Sequence, residues 1–241
     1  MELPGIYTIF MAQMQYGKPS LRCLWIRAVP FIGTPGTDDA DGQSSGKVIC
    51  TGSETHTENA MSKLTLRIVR ITDPAGAPIA TSEISLRRVQ RSVHRLLAAN
   101  VLCSMASITA DGRAHINTAY FSYSPELEIY FLSHQNALHC QNILSNPSMA
   151  LAIFSSNQTW GSSDCGLQLF GICKQVTGRQ ATKADRLYDQ RFAEYHAWKA
   201  GLAPNSPGRD YRFYRFTTNE LKVFDEKELG AGIFVLAKVK R

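Results

Sequence analysis

The 241-residue sequence has six cysteines but no Cys-x-x-Cys pair and no histidine spacing suited to zinc. Cys23, Cys50, Cys103, Cys140, Cys165 and Cys173 are scattered, so neither a disulfide framework nor a metal site is expected. Reduced thiols in a cytoplasmic protein are the expectation instead. No apolar run approaches the ~20 residues of a membrane span, which excludes a transmembrane helix. Also missing are the Gly-x-Ser-x-Gly elbow, the Gly-x-x-x-x-Gly-Lys-Ser/Thr phosphate loop, a Gly-x-Gly-x-x-Gly turn after a strand, and His-Glu-x-x-His. The best-marked hydrolase, nucleotidase, dinucleotide-binding and zinc-protease classes are thereby set aside. With 44% hydrophobic and 19% charged residues the chain is globular, not collagenous, coiled-coil or wholly disordered.

What the sequence does have is a surplus of positive charge, +6 formally, unevenly placed. The first 60 residues hold four basic and six acidic side chains, leaving 22 basic and 14 acidic in the remainder. A basic body of this kind attracts anions: a phosphorylated small molecule, a nucleic acid or a membrane surface. The stretch from Gly33 to Gly46 is built of turn formers and small polar residues, too poor in apolar groups to offset its ordering entropy. Residues 1–60 are therefore read as a low-order extension or a mis-assigned start, with Met61 an alternative beginning. Residues 61–81 are an undefined lead-in, and 82–241 form one domain.

From Ser82 to Asn100, Leu86, Val89, Val93, Leu96 and Leu97 recur at spacings of three and four, which predicts one apolar helical face. Arg87, Arg88, Arg91 and Arg95 fall largely on the other face, either as a solvated surface or as an anion-attracting edge. The pattern then changes to period two. Val101–Thr109 and Ala114–Tyr123 flank Ala110-Asp-Gly-Arg113, where Asp-Gly can take the positive φ angles of a tight hairpin. Further strands are predicted at Leu127–Leu132, Met149–Phe154, Gly166–Val176, Tyr211–Phe216, Leu221–Phe224 and Ile233–Val239. Helices are predicted near Gln135–Ser145, ended by Asn146-Pro147, and from Thr182 towards Trp198. Sequential antiparallel strands with inserted helices give an α+β barrel.

The start of the helix after Phe131-Leu-Ser-His-Gln-Asn136 presents unpaired N–H groups and a partial positive charge, which suits a phosphate. Ser133 and Asn136 can donate hydrogen bonds there or serve as simple caps, and His139 can add charge when protonated. Aromatic and basic residues interleave in Tyr211-Arg-Phe-Tyr-Arg-Phe216, but an amphipathic strand explains them and nucleic acid is not expected as a partner.

Several of these stretches, in this order, resemble the pyridoxamine 5′-phosphate oxidase-like, FMN-binding split-barrel family. They are Ser104–Phe121 with its Asp-Gly hairpin, Leu127–Ser133, Gln141-Asn-Ile-Leu-Ser-Asn-Pro147, Met149–Phe154 and Gly166-Leu-Gln-Leu-Phe-Gly171. The likeness covers about residues 82–180 well and the remainder to 241 loosely. It implies a six-stranded antiparallel split β-barrel with flanking helices, a homodimer, and FMN between the subunits serving an oxidoreductase with a small-molecule substrate. It places Asn117, Thr118, Ala119 and Tyr120 along the cofactor, Ser133 and His139 at its phosphate, and Trp160, Gly166 and Gln168 at the ring from the partner subunit.

Members that oxidise pyridoxamine phosphate carry arginine, lysine and lysine where this chain has Asn117, Ser122 and His139. Each missing charge-assisted hydrogen bond is worth about 1.5–3 kcal/mol. The Arg-Leu-His-x-Arg-like substrate element of those oxidases is also absent. Other readings of the same barrel are a deazaflavin or haem protein, or a non-catalytic ligand-binding protein. His139, His115 and Tyr120 are the candidate acids or bases. The substrate itself is not specified by the sequence.

Overall fold

The computed structural model describes residues 64–241. The extension read at 1–60, the alternative start at Met61, Cys23 and Cys50 lie outside the described residues.

The predicted first helix is α1, Leu86–Ala99, and it starts where Ser85 accepts a hydrogen bond from the Arg88 N–H. Val89, Val93, Leu96 and Leu97 are buried, as their spacing requires. Strands β3 (Leu102–Ile108) and β4 (Ala114–Tyr123) follow as an antiparallel hairpin. Only Gly112 in its turn takes a positive φ, +81°, while Asp111 does not. The loop is a turn closed by Gly112 N–H to the Thr109 carbonyl, with the glycine absorbing the left-handed position, and not the two-residue turn expected from Asp-Gly.

Next come β5 (Glu128–His134), helix α2 (Leu138–Ser145), β6 (Ser148–Ile153) and β7 (Cys165–Gln175). The helix predicted from Thr182 to Trp198 is two: α3 at Gly178–Arg191 and α4 at Tyr195–Ala200. Tyr211–Asp225 is one continuous strand, β8, where the sequence suggested two. A short helix α5 (Glu226–Leu229) turns the chain into β9 (Phe234–Val239). The undefined lead-in also contains structure: β1 (Leu66–Thr72) pairs with β9 and with β2 (Pro78–Ile79).

All pairings are antiparallel, and the order β8-β5-β4-β3-β6-β7 closes on itself through β7 and β8. The result is a six-stranded barrel, with β9, β1 and β2 extending the sheet from β8. Its interior is filled by Met105, Phe121, Ile129, Phe131, Leu169, Phe216 and their neighbours, all buried. Closure depends on a bulge: Phe170 pairs with Glu220 but Gly171 with Thr218, so the register shifts at that point.

On the outer face, α3 and α4 cover a second cluster of Tyr130, Val176, Ala184, Tyr188, Tyr195 and Phe213. An ionic knot pins α3 there. Glu128 accepts from the Tyr130 hydroxyl at 2.7 Å, from Lys183 at 2.9 Å and from Arg215 at 3.2 Å. Three of the four arginines of α1 are committed in a similar way. Arg88 donates to the Glu228 carbonyl, Arg91 pairs with Glu228 at 3.6 Å, and Arg95 meets buried Asp225 at 2.6 Å. Asp225 also accepts from Ser92 and caps α5. Those three side chains clamp the β8–α5 corner, so the anion-attracting edge expected of this stripe is largely spent inside the molecule.

Candidate functional site

Side chains alternate across β4, and that alternation divides the predicted site residues into two sets. His115, Asn117 and Ala119 face the barrel side, opposite Ser107, Met105 and Cys103 of β3. Helix α2 packs over this side, with Asn142 donating to Ser107 at 3.0 Å. Ser133, the sixth residue of β5, projects to the same side and its Oγ lies 2.8 Å from His139 Nε2. Thus Ser133 and His139 meet beside the start of α2, and Asn117 faces the same side of the sheet.

This pocket edge has three physical features. The N-cap of α2, Ala137, supplies no side-chain bond, and although the Cys140 N–H donates to the Ala137 carbonyl, no side chain caps the helix start; Ser133 and Asn136 are not its caps. Asn117 Oδ1 is buried without a hydrogen-bond partner, an arrangement that costs free energy unless something else fills the role. Burial, reinforced by neighbouring His115, pushes the His139 imidazole down to about 4. His139 is therefore neutral at pH 7 and does not provide the positive charge expected of it. The nearest arginine by register is Arg212, directly across from Ser133 on β8, but its guanidinium donates to the carbonyls of Arg209 and Tyr211.

The low proton affinity of His139 makes folding sensitive to acid. The unfolded chain takes a proton near pH 6.5 and the folded one near 4, so stability is complete above about 6.5 and declines as pH falls between these values. Unfolding by urea at pH 7.5 and pH 5 is expected to differ by about 2 kcal/mol from this group. His139→Gln should remove that share of the difference. An unaltered pH dependence in the variant would contradict the assignment.

The second set faces outward. Thr118 and Tyr120 share the outer surface of β4 with Ile116, which is 71% exposed. Tyr120 also packs edge-on against Phe192, at 5.7 Å between ring centres. Across β3 and β6 this surface continues as the small residues Ser104, Ala106, Ala150 and Ala152, and it reaches Gln168 and Phe170 on β7. Gln168 lines a cavity of about 230 Å³ with Phe154, Cys165, Gly166, Lys222 and Phe224. Lys222 Nζ stands 4.5 Å above the Phe234 ring, which stacks on Phe224.

Three strand spacings of ~4.8 Å separate β4 from β7, so one chain does not bring Gln168 to Thr118. Trp160 is fully exposed in the loop before β7 and joins neither set. The sequence reading missed Lys222. Its signal was the alternation of Leu221–Phe224, but its place beside Gln168 depends on the closure of β7 on β8. Among the described residues no group of three His, Cys, Asp or Glu could hold a metal, and all four cysteines are free. No helix among them is long and apolar enough to cross a membrane.

A closed antiparallel six-stranded barrel with this helix between its third and fourth barrel strands defines a split-barrel class. The sequence matches the family described as pyridoxamine 5′-phosphate oxidase over residues 89–224, and the chain belongs to that family. No curated protein matches the chain. Among solved structures it is similar to the heme storage protein of Vibrio cholerae, at 16% identity and a TM-score of 0.46, covering 61% of this chain and 93% of that one. It is also similar to a heme binding protein from Mycobacterium smegmatis, at 15% identity and a TM-score of 0.49, covering 61% and 57% of the two chains. A third is a Clostridium acetobutylicum protein related to general stress protein 26, of the pyridoxinephosphate oxidase family. It has 12% identity, a TM-score of 0.42, and coverage of 55% and 85%.

Proposed function

We propose that the protein is a cytoplasmic, homodimeric, FMN-binding oxidoreductase that acts on a small molecule other than pyridoxamine phosphate. The observation that carries this reading is the cluster at the start of α2: an uncapped helix N-terminus, the Ser133 hydroxyl, and a buried Asn117 amide lacking a partner for its oxygen. These groups fit the oxygens of a phosphate by hydrogen bonding and helix polarity. The amide orientation of Asn117 is interchangeable, so its NH₂ can be turned to a ligand. They fit its charge less well, because Asn117, Ser122 and His139 are all uncharged at pH 7. FMN should therefore bind more weakly than to members with basic residues there.

The split of the site across the sheet favours the dimer. The outer face from Ile116 to Phe170 is uncovered in one chain and has a centre of small side chains. A second copy laid on it brings Gly166, Gln168 and Lys222 to the flavin edge of the first. Trp160, exposed in the adjacent loop, is positioned by its place in the chain to meet that copy. FMN would supply hydride transfer; the chain's own residues orient it, exclude water and tune access. His139 Nε2, bonded to Ser133, is the proton-holding atom nearest the phosphate.

A haem reading is favoured by one feature: two imidazoles, His115 and His139, stand close enough to influence each other in a cluster without lysine or arginine. The double variant Asn117→Ala with Ser133→Ala separates the possibilities. FMN affinity measured by fluorescence quenching is expected to fall at least about tenfold. Unchanged affinity would refute the phosphate placement.

A further inference from the structure

Outside the barrel, α3, α4 and the turn Pro207–Asp210 border an open cavity of about 560 Å³. It is separate from the site at α2. Leu132 and Phe213 form part of its floor, on the side of the sheet opposite Ser133; Arg212, the cross-strand neighbour of Ser133, reaches the cavity by folding back onto the turn, where it donates to the Arg209 carbonyl. Its volume lies within the range of small-molecule sites.

The chemistry of the walls is specific. Three cations, Lys199, Arg209 and Arg212, line the cavity against one carboxylate, Asp185. That carboxylate is already engaged, accepting from the Tyr195 hydroxyl and from Lys199, each at 2.6 Å. Arg209 is held by the carbonyls of Leu202 and Ala203, and Arg212 by those of Arg209 and Tyr211. These bonds use two of Arg209's five N–H donors and only Nη1 of Arg212, so each guanidinium is fixed in place with donors left over. Trp198 adds an indole that is 38% exposed at the same wall, above an apolar floor. Fixed cations beside an aromatic wall and an apolar floor match one kind of molecule.

We infer that this cavity is a second ligand site, for a small planar aromatic molecule carrying a phosphate or carboxylate. Ring and anion must be on the same molecule: the ring lies against Trp198 and Phe213, and the anion meets Arg209, Arg212 and Lys199.

The test titrates the full-length protein with phenyl phosphate and follows tryptophan fluorescence, using Trp198→Phe to assign the signal. Saturable quenching is expected, with benzyl alcohol and inorganic phosphate each binding at least about tenfold more weakly. Arg209→Gln should weaken phenyl phosphate by a similar factor. Because that change also frees two carbonyls, Thr182→Phe provides a second variant that fills the mouth from exposed α3 without touching a cation. It should abolish binding while circular dichroism stays unchanged. The titration should be unaffected in the Asn117→Ala, Ser133→Ala variant, which separates this site from the one at α2. Equal binding of benzyl alcohol, equal binding of inorganic phosphate, loss of binding in the Asn117→Ala, Ser133→Ala variant, or full binding by Thr182→Phe would each overturn the proposal.

Discussion

Alanine at Gly171 is expected to cost more than about 3 kcal/mol of folding stability or prevent folding outright, whereas alanine at Gly166 should change it by less than about 1 kcal/mol. Both glycines belong to the same strand and look equivalent in the sequence. A Cβ at Gly171 would lie 2.0 Å from the Thr217 carbonyl oxygen and 3.1 Å from the Phe216 ring. That carbonyl belongs to the partner strand at the bulge through which β7 closes the barrel on β8. Relief would require moving the backbone of the longest strand in the fold. At Gly166 the nearest atom is Phe154 Cβ at 3.8 Å, an ordinary contact. Urea unfolding of the two variants checks the contrast, and similar stability of both would contradict the role given to the bulge.

If the proposed dimer forms through this face, Ile116→Glu is expected to convert it to a monomer and to lower FMN affinity by about a hundredfold, while leaving the fold of each chain intact. Ile116 is 71% exposed, so the substitution removes little intrachain packing. In the proposed dimer it would bury an unpaired carboxylate at the contact between the two copies, which costs several kcal/mol. Loss of flavin should follow loss of the dimer, because in the proposed arrangement Gln168 and Lys222 meet the flavin from the second subunit. Sedimentation velocity and FMN titration on the same sample make the check. A stable dimer with unaltered flavin affinity would show that this face is not the interface.

Much of the barrel was legible because its segments keep one period. The apolar positions of α1 recur at three and four, and β3, β4, β6 and β7 largely alternate; that alternation divides Asn117 and Ala119 from Thr118 and Tyr120, which the sequence reading sets together along the cofactor. The misreadings fall where periodicity breaks for a physical reason. In β1 the register shifts between Ile68 and Arg70, so Leu66, Ile68 and Ile71 do not alternate cleanly. In β8 the bulge interrupts the alternation at Thr217–Asn219, which made one strand look like two. The break between α3 and α4 carries no glycine or proline to announce it.

The candidate site was legible only in part. Ser133 and His139, both placed near the start of this helix from the sequence, lie within hydrogen-bond distance of each other. The charge of His139 was not legible, since burial beside His115 decides it and sequence spacing carries no burial. Lys222 comes to Gln168 through barrel closure, a contact between residues more than fifty positions apart. The commitment of Arg88, Arg91 and Arg95 to the β8–α5 corner was hidden for the same reason.

The central claim is that this barrel holds a flavin through uncharged groups at the start of α2. Size-exclusion chromatography of the protein after incubation with FMN, recorded across the visible spectrum, tests it most directly. The account predicts bands near about 370 and 450 nm eluting with a dimer, at one flavin per chain, and lost from the Asn117→Ala, Ser133→Ala variant. A dimer that elutes without flavin bands, or that takes up a Soret-absorbing cofactor in place of FMN, would contradict it.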